Sequence, residues 1–156
     1  MARILADTNI WLRIADPDAV QNPVAVRAVA RLLAEGHELC ICAQNLIEFW
    51  AVATRPTNAN GLGWTTDAAA AEIAGLETRF VLLPDTPEIF PIWKTLVQNA
   101  AIRGKRTHDA RIAAVCLAHR AQALLTFNAD DFSAFPALRI LDPVQAEQAG
   151  MPSDME

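Results

Sequence analysis

Short apolar runs alternate with longer amphipathic stretches along the chain. The first run, Arg3-Ile4-Leu5-Ala6-Asp7, stops at an acid followed by Thr8-Asn9. A brief apolar run closed by turn-forming residues reads as a buried strand. Ile10 to Ala15 predicts a short helix, broken by Asp16-Pro17-Asp18. Val24 to Ala34 predicts a second helix with Val26, Val29, Ala30 and Leu33 on one side and Gly36 closing it. Glu38 to Ala43 predicts another strand. Gln44 to Thr54 predicts a helix ending at Arg55-Pro56. Its expected buried face is Leu46, Phe49, Trp50 and Ala53, while Asn45, Glu48, Val52 and Arg55 fall along another face.

Beyond a loop at Thr57 to Gly63, a helix is expected from Thr66 to about Glu77 and a short strand from Phe80 to Pro84. Pro87 to Ile102 predicts a helix with Ile89, Trp93 and Leu96 towards the core. Thr107 is the expected N-cap of a helix from His108 to His119. Strands are expected at Ala123 to Phe127 and Leu138 to Leu141, with a turn or short helix from Asp130 to Phe135. Val144 to Glu156 carries few large apolar residues and is expected to fray. The reading is one α/β domain over residues 1–143 with a tail over 144–156. Right-handed crossovers place its helices on both faces of a parallel sheet.

At 156 residues and 53% hydrophobic, the chain can bury a real core. It has no apolar run of the roughly 20 residues that span a membrane. Its start is too short before Asp7 for a signal peptide, so a cytoplasmic protein is expected. Cys40, Cys42 and Cys116 match no zinc or redox spacing and read as buried free thiols. The net charge of −5 argues against nucleic-acid binding by bulk electrostatics. The charge is uneven, however. Lys94, Arg103, Lys105, Arg106, Arg111 and Arg120 stand against Asp109 alone between positions 94 and 120. A basic patch beside an acidic site suits a nuclease.

Each acid taken alone has a structural reading. Asp7 can cap the following helix. Glu48 can be a surface glutamate, and Asp109 can complement a helix dipole. Asn128, Asp130 and Asp131 can make plain turn chemistry. Jointly, Asp7, Glu48, Asp109 and Asp131 are expected at the carboxyl edge of one parallel sheet, where α/β proteins bind ligands. Close carboxylates repel one another and call for a cation. Oxygen ligands select a hard ion, Mg²⁺ or Mn²⁺. Such a site suits phosphoryl chemistry.

Asp7-Thr8-Asn9, Glu48, His108-Asp109-Ala110-Arg111 with Ala113-Ala114, and Thr126-Phe127-Asn128 through Asp131-Phe132 together resemble the PIN-domain family. They are closely similar to the VapC-type toxins of bacterial toxin–antitoxin pairs. The closing Leu138 to Pro143 also looks like the end of such domains, so the resemblance runs from about Ile4 to Pro143. It implies a three-layer α/β/α sandwich on a five-stranded, mostly parallel sheet. It implies a Mg²⁺- or Mn²⁺-dependent endoribonuclease, neutralised by a small VapB-like antitoxin and usually dimeric. On that pattern Asp7 and Asp109 are the principal metal ligands. Glu48 and Asp131 act directly or through water, with Asp131 preferred over Asp130. Thr8, Asn9, Thr126 and Asn128 orient the carboxylates. Arg55, Arg103, Lys105, Arg106 and Arg111 are candidates to meet RNA or the antitoxin.

Three rivals are weighed. A haloacid-dehalogenase-like phosphatase resembles Asp-x-Asp after its first strand, but here the pair is Asp7 and Asn9. A non-cutting scaffold would not need the intact acidic set. A DNase or other phosphodiesterase stays open, because the mechanism does not require a 2′-hydroxyl.

Overall fold

The computed structural model describes residues 1–156. Five strands, β1 (Arg3–Ala6), β2 (Glu38–Cys42), β3 (Val81–Leu83), β4 (Ala123–Leu125) and β5 (Ile140–Leu141), form one sheet in the order β3-β2-β1-β4-β5. Every pair is parallel. Seven helices surround it: α1 (Thr8–Ala15), α2 (Asn22–Ala34), α3 (Ala43–Thr54), α4 (Thr66–Arg79), α5 (Ile89–Asn99), α6 (Arg106–Ala118) and α7 (Pro143–Ala149). No helix is long and apolar enough to cross a membrane.

The central strands β1, β2 and β4 read as apolar runs because both sheet faces are covered there, whereas Val81 and Leu82 of the edge strand β3 are exposed. Ile4 and Ala6 of β1, Leu39 and Ile41 of β2, and Ala123 and Leu125 of β4 pack on one side, with Trp11, Leu32, Phe49 and Leu76 from α1 to α4. Leu5, Cys40, Cys42 and Leu124 pack on the other, against Ile89 of α5 and Ile112 to Cys116 of α6. The period-2 alternation thus sorts each strand between two cores. All three cysteines are free and buried, and burial pushes their thiols up to about 12, 11 and 12.

From β1 the chain moves outward through β2 to β3, then crosses back to β4 and β5. The order therefore reverses between β1 and β4. At such a point the loops leave in opposite directions and open a crevice at the strands' carboxyl ends. Asp7 follows β1 and Thr126 follows β4, so both stand at this crevice.

Several expectations need correcting. The tail does not fray. Asp142 caps α7 through the Val144 and Gln145 amides, and Ala146 and Met151 are buried in the core beside α2. Arg31 donates to the Gln148 carbonyl at 2.8 Å. Small side chains and a cap dock this helix where a count of large apolar residues gave no signal. On α2, Ala25, Ala28, Val29 and Leu32 are buried, while Val26 and Leu33 are exposed. Close packing on alanines turns the helix by about one position from the expected face. On α3, Gln44, Asn45, Phe49 and Ala53 are buried, but Trp50 is exposed. Thr107 does not cap α6, which starts at Arg106; its hydroxyl donates back to Gly104.

Candidate active site

Asp7 closes β1 and opens α1. Its amide donates to the Leu125 carbonyl at 2.9 Å, which ties the end of β1 to β4. Its Oδ1 accepts the Thr8 amide at 2.8 Å, so Asp7 is the helix cap. Its Oδ2 accepts the Thr126 hydroxyl at 2.9 Å and the Asn9 amide at 3.3 Å. The Asn9 side chain also donates to Thr126 Oγ1 and accepts the Phe127 amide. The turns after β1 and β4 are thereby sewn together. Burial pushes the Asp7 carboxyl up to about 6. The Thr126 hydroxyl and Thr8 amide oppose the rise, and the charges of Glu48 and Asp109 add to it.

Glu48 sits on α3, one turn from its start. Its Oε2 accepts the Thr8 hydroxyl at 2.7 Å, and its Oε1 accepts the Gln44 amide at 2.8 Å. Thr8 Oγ1 in turn accepts from Asn45 at 3.2 Å, and Asn45 Oδ1 accepts the Cys42 amide at 2.9 Å. A line of neutral hydrogen bonds therefore runs from the end of β2 to the Glu48 carboxylate. Gln44 spans the cleft as well, donating to the His108 carbonyl at 2.8 Å.

Asp109 lies in the first turn of α6, whose Ala110 and Ile112 to Cys116 are buried. Its carboxyl is raised, first by burial and then by the charges of Asp131 and Glu48; Arg106 and His108 pull it back less. None of the ion pairs of the protein includes Asp7, Glu48 or Asp109. Two of the nearby arginines pair with other acids. Arg106 meets Asp131 at 3.4 Å, and Arg111 meets Asp85 at 3.1 Å.

Glu48, Asp109 and Asp131 line one open cleft of about 730 Å³ with Gln44, Lys105, His108 and Arg111. Asp7 is buried and does not line this cleft, but it lies in electrostatic reach of Glu48 and Asp109. Asp131 faces the cleft; Asp130 lies outside its lining. Thr8, Asn9 and Thr126 bond to the acids as described. Asn128 contributes differently from the expectation: its backbone amide donates to Thr126 Oγ1, and its side chain is exposed. Among the basic candidates, Lys105 and Arg111 line the cleft and Arg106 holds Asp131. Arg103 and Arg55 do not line it, and Arg55 lies about 10 Å along α3 from Glu48. Gln44 and Asn45 are the residues that sequence reading missed as site residues. The available signals were polar side chains at the start of a helix after a buried strand, and the i, i+4 pairing of Gln44 with Glu48.

The donor set is all oxygen, which suits a hard cation. The hydrogen-bond donors to Asp7 and Glu48 are all neutral, and the charges of Arg106 and His108 offset the raised Asp109 carboxyl only in part, so the acids still repel one another. No three His, Cys, Asp or Glu side chains are arranged to enclose an ion by themselves. Mg²⁺ commonly needs one or two carboxylates and keeps several waters, so the residues fit the group without a full cage.

The PIN domain family model matches residues 4–138. The chain is 24% identical over 142 residues to Ribonuclease VapC24 of Mycobacterium tuberculosis, covering 90% of this chain and 97% of that one. Among solved structures it resembles VapBC2 from Rickettsia felis bound to a promoter DNA fragment, with TM-score 0.67 and 17% identity over 90% of this chain and 98% of that one. It also resembles Mycobacterium tuberculosis VapC20, a Sarcin-Ricin loop cleaving toxin, with TM-score 0.62 and 22% identity over 85% and 95%. With a parallel sheet in the order β3-β2-β1-β4-β5, acids gathered where that order reverses, and a family model covering most of its length, this chain belongs to the PIN-domain family.

Proposed function

We propose that this protein is a metal-dependent endoribonuclease of the VapC type, held inactive by a VapB-like antitoxin. The observation that carries this reading is the buried Asp7 carboxylate, set with Glu48 and Asp109 at the sheet's reversal point and matched by no cation of the protein. The relative named a ribonuclease and the toxin–antitoxin complexes among the solved neighbours support it.

Asp7 and Asp109 would hold Mg²⁺ or Mn²⁺, with Glu48 and Asp131 reaching it directly or through water. When bound, the ion supplies positive charge that polarises a phosphate and lowers the pKa of water. Glu48 is held by Thr8 and Gln44, so its carboxylate stays fixed beside the cleft and can orient an attacking water and take its proton. Lys105 and Arg111 line the same cleft and can hold the RNA backbone. In-line attack on the phosphodiester leaves 5′-phosphate and 3′-hydroxyl ends. The same reading takes the protein as a cytoplasmic homodimer.

The test is cleavage of a cellular RNA pool by wild type and Asp7→Asn, each with Mg²⁺, with Mn²⁺ and with EDTA. Cuts that need metal and vanish in the variant are expected, and end mapping names the target. Equal cuts from both proteins, or cuts that survive EDTA, overturn the reading. RNA bound but uncut with metal present points to a binding scaffold instead.

A further inference from the structure

A second cleft, of about 400 Å³, adjoins the acidic one. Its walls are Ile89, Phe90 and Trp93 of α5 with His108 and Arg111 of α6. His108 and Arg111 line both clefts, one turn apart on α6. The acids lie on one side of this pair and the aromatic rings on the other.

Phe90 is 65% exposed although it is a large apolar side chain. It stacks on Trp93 with ring centroids 5.8 Å apart and planes 23° from parallel. Trp93 is fixed in turn, because its indole N–H donates to the Thr107 carbonyl at 2.8 Å. The result is a stacked aromatic pair in which Trp93 is anchored and the Phe90 ring is open to solvent. No acidic residue lines this cleft, whereas Glu48, Asp85, Asp109 and Asp131 line its neighbour. An anionic chain can therefore pass from one cleft to the other over His108 and Arg111.

From this we infer that the Phe90–Trp93 platform is a nucleobase-stacking subsite, which receives an unpaired base of the RNA next to the phosphate that is cut. The inference rests on the ribonuclease reading above and adds a specificity-determining residue to it. Flat π-faces bind unstacked bases whatever their sequence, and single-stranded RNA offers such bases. The cleft's volume suits one ring system and its sugar. Phe90 touches the substrate and not the reacting atoms, so it acts on binding and on the choice of cut site.

The experiment compares wild type, Phe90→Ala, Phe90→Leu and Phe90→Tyr. Three quantities are measured: kcat and KM on a short single-stranded RNA that wild type cuts, affinity for the same oligonucleotide in an Asp7→Asn background, and mass by light scattering. Expected are a loss of affinity of roughly 5- to 150-fold for Phe90→Ala and Phe90→Leu, carried in KM, and recovery in Phe90→Tyr. Phe90 is exposed, so these variants keep the fold. Wild-type KM and cut sites in Phe90→Ala overturn the subsite while the nuclease stands. Full affinity in Phe90→Leu overturns it too, because apolar cover without a π-face then suffices. A change of mass in Phe90→Ala assigns the face to a second copy of the chain. If wild type neither cuts nor binds RNA, the ribonuclease reading falls and the subsite falls with it.

Discussion

The Thr8 hydroxyl donates to Glu48 Oε2 at 2.7 Å, although the two residues are 40 positions apart. Thr8 follows β1 and Glu48 lies on the helix after β2, so this one bond links the turns of neighbouring strands. Thr8 also accepts from Asn45, which is fully buried. Thr8→Val keeps the shape and breaks both bonds, leaving the Asn45 amide without its partner. The expected outcome is a stability loss of about 1–3 kcal/mol by urea unfolding. Single-turnover cleavage should fall roughly 10- to 100-fold. Thr8→Ser should recover both. Equal rates in Thr8→Val and wild type would remove Thr8 from the positioning of Glu48.

Gln44 tests the same carboxylate from its other oxygen. Gln44→Ala removes the donor to Glu48 and the bridge to the His108 carbonyl. Arg111 also loses its contact with Gln44 Oε1. The expected effect is a fall in kcat of roughly tenfold or more with a smaller change in KM. A change confined to KM would mean that Gln44 serves RNA binding through Arg111 instead.

Asp7 predicts how stability depends on pH. Its carboxyl titrates at about 6 in the fold, against an ordinary value of about 3.9 in the unfolded chain. The folded state thus holds the proton more tightly. Stability falls as pH rises from about 4 through 6, by up to roughly 3 kcal/mol, and then levels off. Asp7→Asn removes this penalty and sacrifices part of the cap. In EDTA at pH 7.5 the variant should melt above wild type, and the gap should close towards pH 4. A variant that melts lower at pH 7.5 than at pH 4, relative to wild type, would contradict a strained Asp7.

Ala146 tests the docking of the C-terminal helix. It is completely buried against the α2 side of the core. Ala146→Asp puts a charge there without a partner, at a cost of several kcal/mol. Ala149→Asp lies on the same helix at an exposed position and should change little. Equal midpoints of thermal unfolding for the two variants would show that α7 is dispensable.

Much of this architecture is legible in the chain because strands covered on both faces must be apolar throughout. Ile4 to Ala6 and Ala123 to Leu125 are such runs, each short and bounded by polar residues. Asp7 and Asp109 stand out because an acid terminates, or begins, an otherwise apolar element. The structure brings Glu48 within electrostatic reach of both, and Asp131 within reach of Asp109. What pattern did not disclose is where polarity turns inward. Gln44 and Asn45 resemble any helix start, yet both are buried because the Glu48 carboxylate and the Cys42 amide need partners. The face of α2 and the seat of α7 were missed for a related reason. Alanines decide both contacts, and hydrophobic periodicity weighs large side chains most heavily. Thr107 looks like a cap, but α6 starts at Arg106, two residues before the expected His108, and the Thr107 hydroxyl donates back to the Gly104 carbonyl instead.

The bond between Asp7 and Thr126 joins residues 119 positions apart. Translation at about 5–20 residues per second spends roughly 6 to 24 s between them. For that interval the first strand made waits for the neighbour that completes its carboxylate. If the proposed activity is right, it is a late product of synthesis, and a chain stalled before Thr126 is predicted to be inert whatever metal is supplied. The interior position of β1 between β2 and β4 thus makes completion of the Asp7 surroundings depend on a strand that is synthesised late.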